Sequence, residues 1–322
     1  MGTIKPPALD EGDAVAVVAP AGPVESGQLD RGLGVLESWH LRPVLMPHVY
    51  GTRGYLAGSD DDRLSDLVSA WRDPSIAALI CARGGYGSMR NVDRFDYALA
   101  AGRPKAFVGF SDITAFHLAL LRRARLVTFY GPMVGMDAGL WDVEAEHQTL
   151  RRMLMGDVTP GPVTPVPKAT PPRTIVRGEA EGILVGGNLS MLAASIGGPD
   201  QPETDGAILV IDEWGERPFR IDRMFTQLAR ANLLGGTAGL VLGDVLPTAG
   251  SSARSDEEVK TALERITAIG VPTVLGFPVG HSEAMTTLPL GVRGRLDAST
   301  CTLEILEPAT TPRARARADR AR

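Results

Sequence analysis

At 322 residues the chain is longer than most single domains, so two domains are the first expectation. Apolar residues make up 44% and charged residues 22%, which is ordinary for a globular protein and sufficient for a sizeable core. The formal net charge of -5 argues against nucleic acid as the main partner, because phosphate binding requires a basic face.

The first apolar run, AVAVVAPAGPV, follows acidic residues and contains two prolines, so it predicts a strand and a loop and not a signal peptide. No run approaches the length of a membrane-spanning helix. The two cysteines, Cys81 and Cys301, are too few for a disulfide framework or a cysteine metal site, and we interpret them as small core residues. We therefore expect a cytoplasmic protein.

Strand-length apolar runs alternate with helical patterns in the first half of the chain. The stretch SDDDRLSDLVSAWRDP predicts the clearest helix, with Ser59 as its cap, three aspartates in the first turn and Pro74 after its end. A second helix is predicted in SGQLDRGLGVLESWH, and buried strands are predicted in AVAVVAP, IAALICA, KAFVGF and LVTFYGP. This alternation indicates an α/β fold with an open, mostly parallel sheet flanked by helices.

A change of composition marks the boundary between the two expected domains. Six prolines fall within residues 156–173, so an extended connector is predicted there. The predicted units are an N-terminal domain at 1–155, a linker at 156–175, a C-terminal domain at 176–307 and an Arg- and Ala-rich tail at 308–322. The tail has no apolar face, so we expect it to be disordered, with binding to an anionic partner as the alternative.

The C-terminal domain is predicted to contain a long helix in SDEEVKTALERITAIG, with Gly270 at its end and Pro272 beyond. Short apolar runs separated by glycines and prolines follow in VPTVLGFPVGHSEAMTTLPLGVRGRLD. This second pattern is typical of strands joined by irregular loops.

In FVGFSD, residues 107–112, Ser111 lies where a buried strand is predicted to end and a helix to begin. Serine is a preferred N-cap residue, so the position suits a helix cap. It also exposes a hydroxyl at the carboxyl edge of the sheet, where α/β proteins bind ligands. Because the second glycine of the hydrolase motif G-x-S-x-G is missing, the residues alone leave both a cap and a nucleophile open.

A serine nucleophile requires a base, usually a histidine that is oriented by a carboxylate. Of the five histidines, His281 lies in a loop rich in glycine and proline after an apolar strand, the kind of loop that carries catalytic residues. His117 lies inside the helix predicted after Ser111 and is expected to be structural. The other three are expected at the surface: His40, His48 and His147.

Adjacent acids, Asp212 and Glu213, end the apolar run ILVIDE. On a strand their side chains would face opposite sides, so only one of them can orient a histidine. Exposed loop acids are the alternative, and the residues in isolation favour it.

The stretch RGGYGS, residues 83–88, follows the predicted strand IAALICA. Its glycines allow the backbone to approach a ligand and to offer N–H groups to an anion. A nucleotide phosphate cradle is the competing interpretation, but neither G-x-G-x-x-G nor G-x-x-x-x-G-K-[ST] is present.

Together these motifs, in this order, resemble the LD-carboxypeptidase family of serine peptidases, which also contains the microcin-immunity hydrolases. The resemblance extends over nearly the whole chain, through VAVVAPAGPV, LAGSDDDRLSDL, ICARGGYGSMR, FVGFSDITAFHLAL, YGPM, EGILVGGNLSML, LVIDEWGERPFRIDRMFTQL and GFPVGHSEAMTTLPLG. It implies a two-domain fold in which the α/β domain carries the serine and a smaller, β-rich C-terminal domain carries the acid and the histidine.

The resemblance implies that Ser111 is the nucleophile and that His281 is the general base and later the general acid. It also implies an oxyanion hole formed by the backbone N–H groups of Gly85 and Asp112. Arg83 is a candidate for the edge of the pocket, with a structural role as its alternative.

The acid of the implied triad has two candidates. Family members usually have Glu-Asp before Gly-Glu, with the first residue catalytic, whereas this chain has Asp212-Glu213 before Trp-Gly-Glu. Register favours Asp212 and residue type favours Glu213. Because aspartate is one methylene shorter, Asp212 would require the backbone near His281 to lie closer.

Asn188 is a further pocket-edge candidate, again with a structural role as its alternative.

The reaction that the resemblance implies is hydrolysis of the amide between the L-centre of a diamino acid and a terminal D-alanine, which converts murein tetrapeptide to tripeptide in peptidoglycan recycling. It requires no metal or cofactor, and related enzymes suggest a homodimer.

Two alternatives remain open. The microcin-immunity branch acts on peptidyl or aminoacyl adenylate conjugates and has a longer region between serine and acid; the 101 positions from Ser111 to Asp212 (212 minus 111) favour the carboxypeptidase branch. A non-catalytic nucleotide-binding module, with RGGYGS and the helix at Ser111 as its cradle, is the alternative of another class.

Overall fold

The computed structural model of the chain describes residues 2–135, 144–157, 160–168, 170–245, 256–282 and 284–313. Two β-sheets, with helices packed against them, make up this part of the chain.

The first sheet is mostly parallel, as the alternation of strands and helices predicts. Its strands are β1 (Ala14–Val18), β2 (Arg42–Leu45), β3 (Ile76–Cys81), β4 (Ala106–Gly109), β5 (Thr128–Tyr130) and β12 (Leu288–Leu290). They lie in the order β12-β5-β4-β3-β1-β2, and only the β12–β5 pair is antiparallel. The four predicted strands are confirmed as β1, β3, β4 and β5. Strand β12 comes from the second half of the chain.

Helices follow most of these strands. They are α1 (Asp30–Ser38), α2 (Asp60–Arg72), α3 (Met89–Val92), α4 (Tyr97–Gly102), α5 (Thr114–Ala124) and α6 (Glu144–Leu154). Helix α2 has the predicted cap at Ser59, which exchanges hydrogen bonds with Asp62 in a capping box. Its Leu67 and Trp71 are buried in the core of the first sheet. No helix in the described ranges is both long and apolar enough to cross a membrane.

The second sheet has a parallel centre and antiparallel flanks. Its strands are β6 (Gly161–Pro162), β7 (Arg173–Val176), β8 (Glu179–Asn188), β9 (Ile208–Asp212), β10 (Gly239–Leu242), β11 (Thr273–Leu275), β13 (Arg293–Asp297) and β14 (Thr302–Ile305). Their order is β6-β14-β13-β8-β9-β10-β11-β7, and β8 to β11 run parallel. Within the proline-rich residues, the edge strand β6 contains Pro162, as expected because proline cannot donate to a ladder. The other edge strand, β7, begins at Arg173, after the last of these prolines.

In the part of the chain that the structure describes, three helices accompany the second sheet: α7 (Leu189–Ala194), α8 (Pro218–Arg230) and α9 (Asp256–Thr267). Leu189, Phe225 and Ile266, one from each helix, are fully buried in a second apolar core. Helix α9 is the long helix that the sequence predicts.

The two sheets meet at α5, which contacts both β5 and β8. The N–H of Asn188, at the end of β8, donates to the hydroxyl of Thr114 at 2.9 Å. Gly187 has a φ of +139° and packs so closely on Thr114 that a Cβ would overlap its side chain. The first turn of α5 is therefore fixed against the second sheet.

The structure corrects the predicted start of the tail. Residues 308–313 are described, and Thr311 bonds to the N-terminal segment: its N–H donates to Pro6 and its carbonyl accepts from Ala8, both at 2.9 Å. These contacts join segments that lie about 300 positions apart in the sequence, so no local pattern reveals them. Residues 314–322, the rest of the predicted tail, lie outside the described residues.

Candidate active site

Ser111 occupies a sharp turn between β4 and α5. It follows Gly109 and Phe110 and has a φ of +62°, a left-handed conformation that residues other than glycine seldom adopt. A short 3₁₀ helix, Ser111–Ile113, leads directly into α5. Phe110, not Ser111, precedes the first turn, and no side chain caps it, so the helix-cap interpretation is wrong. A strained strand-to-helix turn of this kind carries the nucleophile in α/β-hydrolases.

The glycine-rich loop after β3 packs directly against this turn. A Cβ on Gly84 would lie 2.9 Å from the Cβ and 3.1 Å from the Oγ of Ser111, so a side chain at position 84 would displace the serine. The next residue, Gly85, has a φ of +108°. The carbonyl of Gly84 accepts from the N–H of Gly22 at 3.0 Å, which anchors the loop to the segment after β1.

Asp112 connects the loop to the serine turn through its side chain. Its buried carboxylate accepts from the N–H of Ser88 at 2.8 Å. Burial raises the pKa of Asp112 above its usual value, against the opposing effect of this hydrogen bond. The two predicted oxyanion donors, Gly85 and Asp112, thus belong to segments that are bonded to each other.

His281 and Asp212 are in direct contact. The Nδ1 of His281 lies 2.5 Å from Oδ2 of Asp212, and the backbone N–H of His281 donates to the same oxygen at 3.0 Å. Because the carboxylate is an acceptor, Nδ1 carries the proton and Nε2 is left as the basic nitrogen. Gly280 has a φ of +67° and is packed against the carboxyl group of Asp212. The backbone therefore approaches closely, as the shorter aspartate requires.

Tyr130 links Asp212 to the serine turn. Its hydroxyl donates to Oδ1 of Asp212 and accepts from the backbone N–H of Ser111 at 3.2 Å. Tyr130 is the last residue of β5 and pairs with Gly109 in β4, so the strand register places its side chain beside Ser111. Burial, together with the Asp212 carboxylate, raises the pKa of Tyr130 well above its ordinary value. The phenol consequently stays protonated and can donate.

Glu213 points away from His281, toward the start of α7. Its carboxylate accepts from the N–H and the hydroxyl of Ser190 at 2.8 and 2.6 Å, and from the side-chain amide of Asn188 at 3.0 Å. Asn188 is itself the N-cap of α7. The structure thus brings Asp212 to the histidine and uses Glu213 and Asn188 to hold a helix terminus.

The other histidines lie outside this contact. His117 is buried, with Nε2 bonded to the carbonyl of Gly109 and Nδ1 to the hydroxyl of Thr128, both at 2.8 Å, so its structural role is confirmed. Burial lowers the pKa of His117 to about 4. His48 is partly exposed, and its hydrogen bond to Asp66 raises its pKa.

A cavity of about 500 Å³ opens beside Ser111 and His281. Its described lining consists of Gln28, Arg83, Gly84, Gly85, Phe110, Ser111, Met133, Gly135, Trp214, Gly280, His281 and Ser282. Phe110 packs edge-on to the His281 ring at a centroid distance of 4.8 Å. Trp214 lies nearly parallel to that ring, at 6.2 Å, and is 72% exposed. The cavity thus combines a hydroxyl, an imidazole, a glycine-rich backbone and an aromatic rim.

Two family models match the chain. The LD-carboxypeptidase N-terminal domain matches residues 15–131, and the LD-carboxypeptidase C-terminal domain matches residues 181–296. The chain belongs to the LD-carboxypeptidase family, as its motifs predict. Ser111, Asp212 and His281 all lie within the matched ranges.

Relatives with curated names agree with the family. The chain is 42% identical to a Streptomyces coelicolor protein named as a carboxypeptidase, over 95% of this chain and 97% of that protein. It is 37% identical to the probable murein peptide carboxypeptidase of Bacillus subtilis, over 92% of each. These names support a hydrolase of the carboxypeptidase class.

Solved structures agree with the fold. The muramoyltetrapeptide carboxypeptidase of Oxalobacter formigenes has a TM-score of 0.76 and 30% identity, over 92% of this chain and all of that one. The microcin C7 self-immunity protein in complex with glutamyl sulfamoyl guanosine has a TM-score of 0.84, over 95% of this chain and 99% of that one. Its identity of 23% limits that likeness to the fold.

The motif YGPM does not by itself give Tyr130 a role. A usable signal was its position, because Tyr130 ends the strand next to β4 and the ends of neighbouring parallel strands meet at one edge. Lys168 is a second residue at the site for which the sequence predicts no role. Its buried ammonium bonds to Asp244 at 2.5 Å and to Ser282 at 3.1 Å, which ties the linker to the loop of His281. No local pattern marks this lysine.

Proposed function

We propose that the protein is a serine LD-carboxypeptidase that removes the terminal D-alanine from murein tetrapeptide. The observation that carries the proposal is the placement of Ser111 and His281 on one cavity, with His281 bonded through Nδ1 to Asp212. This combination supplies a nucleophile on a strained turn, a base with a free Nε2, and a carboxylate that holds the base in the required tautomer.

In the proposed mechanism, Ser111 Oγ attacks the carbonyl carbon that joins the L-centre of the diamino acid to D-alanine. The hydroxyl proton passes to Nε2 of His281, and the negative charge that develops on the carbonyl oxygen is stabilised by the N–H groups of Gly85 and Asp112. The C–N bond then breaks, and His281 returns the proton to the departing amine. D-Alanine leaves, and the tripeptide remains as an ester of Ser111.

The second half of the reaction reverses these roles. A water molecule gives a proton to His281 and attacks the ester carbonyl, and the tetrahedral intermediate collapses as His281 protonates Ser111 Oγ. Asp212 stabilises the imidazolium at both stages and keeps its own charge. No cofactor takes part in this scheme.

A panel of defined substrates tests the proposed reaction. The purified protein is incubated with murein tetrapeptide and with the same peptide ending in L-alanine, and release of the amino acid is followed by mass spectrometry. We expect release from the D-alanine peptide alone. Cleavage of both peptides would refute the LD specificity, and cleavage of neither would refute the wall peptide as substrate.

A second candidate is hydrolysis of peptidyl or aminoacyl adenylate conjugates. Trp214 favours it, because its exposed face beside His281 could stack on a planar base. The short spacing between Ser111 and Asp212 favours the wall peptide instead. Incubation with an aminoacyl sulfamoyl adenylate separates the two, since the first candidate leaves that conjugate intact.

We also propose that residues 1–155 and 176–307 form the two functional units, joined by the linker at 156–175. The first unit contributes Ser111 and the second contributes Asp212 and His281. The positions of the two family models, 15–131 and 181–296, support this division. We further propose that the protein is a cytoplasmic homodimer that acts in peptidoglycan recycling. Cell fractionation tests the location, and light scattering on the purified protein tests the oligomeric state.

A further inference from the structure

The cavity beside Ser111 carries one permanent positive charge among its described lining residues. That charge is the guanidinium of Arg83, and no aspartate or glutamate is part of the same lining. A cavity with an unneutralised cation favours an anionic ligand, because the Coulomb attraction is stronger in a cleft that partly excludes water.

Arg83 differs in its pairing from arginines nearby. Arg63 and Arg90 both form ion pairs with Asp60. Within the described ranges, by contrast, no carboxylate lies within ion-pair distance of Arg83. Its Nη1 donates to the carbonyl of Pro23 at 3.2 Å, which anchors the exposed side chain, and guanidinium has five N–H groups in all. Arg83 is therefore held at the cavity with donors to spare.

The position of Arg83 also suits a group close to the reacting carbonyl. It precedes Gly84, which packs on Ser111, and Gly85, the proposed oxyanion donor. In a substrate that loses its last residue, the terminal carboxylate is one residue beyond the scissile carbonyl, a distance of about 3.8 Å along the chain. Arg83 is one residue from Gly84, which contacts Ser111, so its guanidinium can bind that carboxylate.

We propose that Arg83 binds the C-terminal carboxylate of the substrate and thereby confines cleavage to the last peptide bond. The proposal rests on the proposed carboxypeptidase function and adds the residue that recognises the chain end. Arginine suits this task, because its planar fork can make two parallel hydrogen bonds to one carboxylate.

The test compares two substrates that differ only at the chain end, the D-alanine tetrapeptide and its C-terminal carboxamide. For the wild type we expect kcat/KM to be roughly 10- to 100-fold higher for the acid, the range for a charge-assisted hydrogen bond. Arg83→Met should lose this preference by cleaving the acid more slowly, with little change for the amide. Arg83→Lys should recover part of the preference, because it retains the charge without the fork.

Arg265→Met is the matched control. Arg265 lies on α9, pairs with Asp222 and does not line the cavity, so the same chemical change should leave both rates as they are. Thermal unfolding of each variant verifies that it folds. If Arg83→Met does not fold, the preference for the acid is compared between the wild type and Arg83→Lys instead.

The outcomes separate the two proposals. A wild type that cleaves the acid and the amide equally would overturn the role of Arg83 and leave the hydrolase function standing. A preference for the acid that survives in Arg83→Met would do the same. A wild type that cleaves neither would overturn the proposed function, and the role of Arg83 with it.

Discussion

The buried hydroxyl of Tyr130 donates a hydrogen bond to the carboxylate of Asp212. The hydroxyl oxygen of Tyr130 also accepts a hydrogen bond from the N–H of Ser111 at 3.2 Å. One side chain therefore fixes the position of Asp212 relative to Ser111. Replacing Tyr130 with phenylalanine leaves both partners without this bond. An unsatisfied buried polar group costs about 1–3 kcal/mol, so the site should lose its alignment.

We expect Tyr130→Phe to lower kcat by roughly 10- to 100-fold with little change in KM, because the misalignment affects the chemical step. Tyr97→Phe is the matched control: Tyr97 is also buried, and its hydroxyl donates to the carbonyl of Val92 at 2.8 Å, away from the cavity. It should lower stability while kcat stays at the wild-type value. Equal kcat in the two variants would show that Tyr130 has no special role.

The roles of Asp212 and Glu213 can be distinguished by replacing each carboxylate with the corresponding amide. Asp212→Asn should lower kcat by about 10³- to 10⁴-fold, because an amide no longer fixes the tautomer of His281. Glu213→Gln should act on folding instead, with a loss of about 1–2 kcal/mol from the terminus of α7. Steady-state kinetics and urea unfolding distinguish the two effects. Loss of turnover in Glu213→Gln alone would transfer the role of the acid to that residue.

Gly280 allows the loop of His281 to approach Asp212. Its φ is +67°, and an added Cβ would overlap the carboxyl group, so Gly280→Ala should displace the histidine. A displacement of about 1 Å can cost roughly 10²-fold in rate, which sets the expected fall in kcat. Gly270→Ala is the control, because Gly270 has a φ of +77° with open space around it. It introduces the same backbone strain, and turnover should remain normal.

The sequence predicted the first sheet well because its central strands are buried on both faces. Strands such as β3 are continuous apolar runs with clear breaks, and α2 begins and ends with standard signals at Ser59 and Pro74. No apolar run predicts strand β2, because it is an edge strand that is partly exposed and contains Pro43. Its pairing with β1 depends on tertiary contacts and not on an apolar run.

Non-local contacts also limited the prediction of the site. Ser111 and His281 stood out locally, one at a strand end and one in a glycine-rich loop. The choice between Asp212 and Glu213 depends on which face of the chain meets α7 and which meets the histidine loop, and neither contact is encoded in adjacent residues. Tyr130 becomes visible only through the register of β4 and β5.

Because His117 is buried, we expect it to make the free energy of unfolding depend on pH. Its folded pKa is about 4, below the ordinary 6.5, so the folded state binds the proton less readily than the unfolded state does. The contribution of neutral His117 to the free energy of unfolding is present above about pH 6.5 and is lost as the pH falls toward 4. Between pH 7 and pH 5 the loss should be about 2 kcal/mol.

Urea unfolding at the two pH values measures this loss. In His117→Gln, which has no titrating ring, the fall in stability over the same interval should be smaller by about that amount. An identical fall in the wild type and the variant would show that His117 does not contribute to the acid sensitivity.

The rate of D-alanine release from murein tetrapeptide by Ser111→Ala is the most direct test of Ser111 as the nucleophile. We expect a fall in kcat of about 10⁴-fold or more, with unchanged thermal stability and retained binding of the tetrapeptide. Release of D-alanine by the variant within about tenfold of the wild-type rate would show that Ser111 is not the nucleophile, because losing a nucleophile costs far more than that.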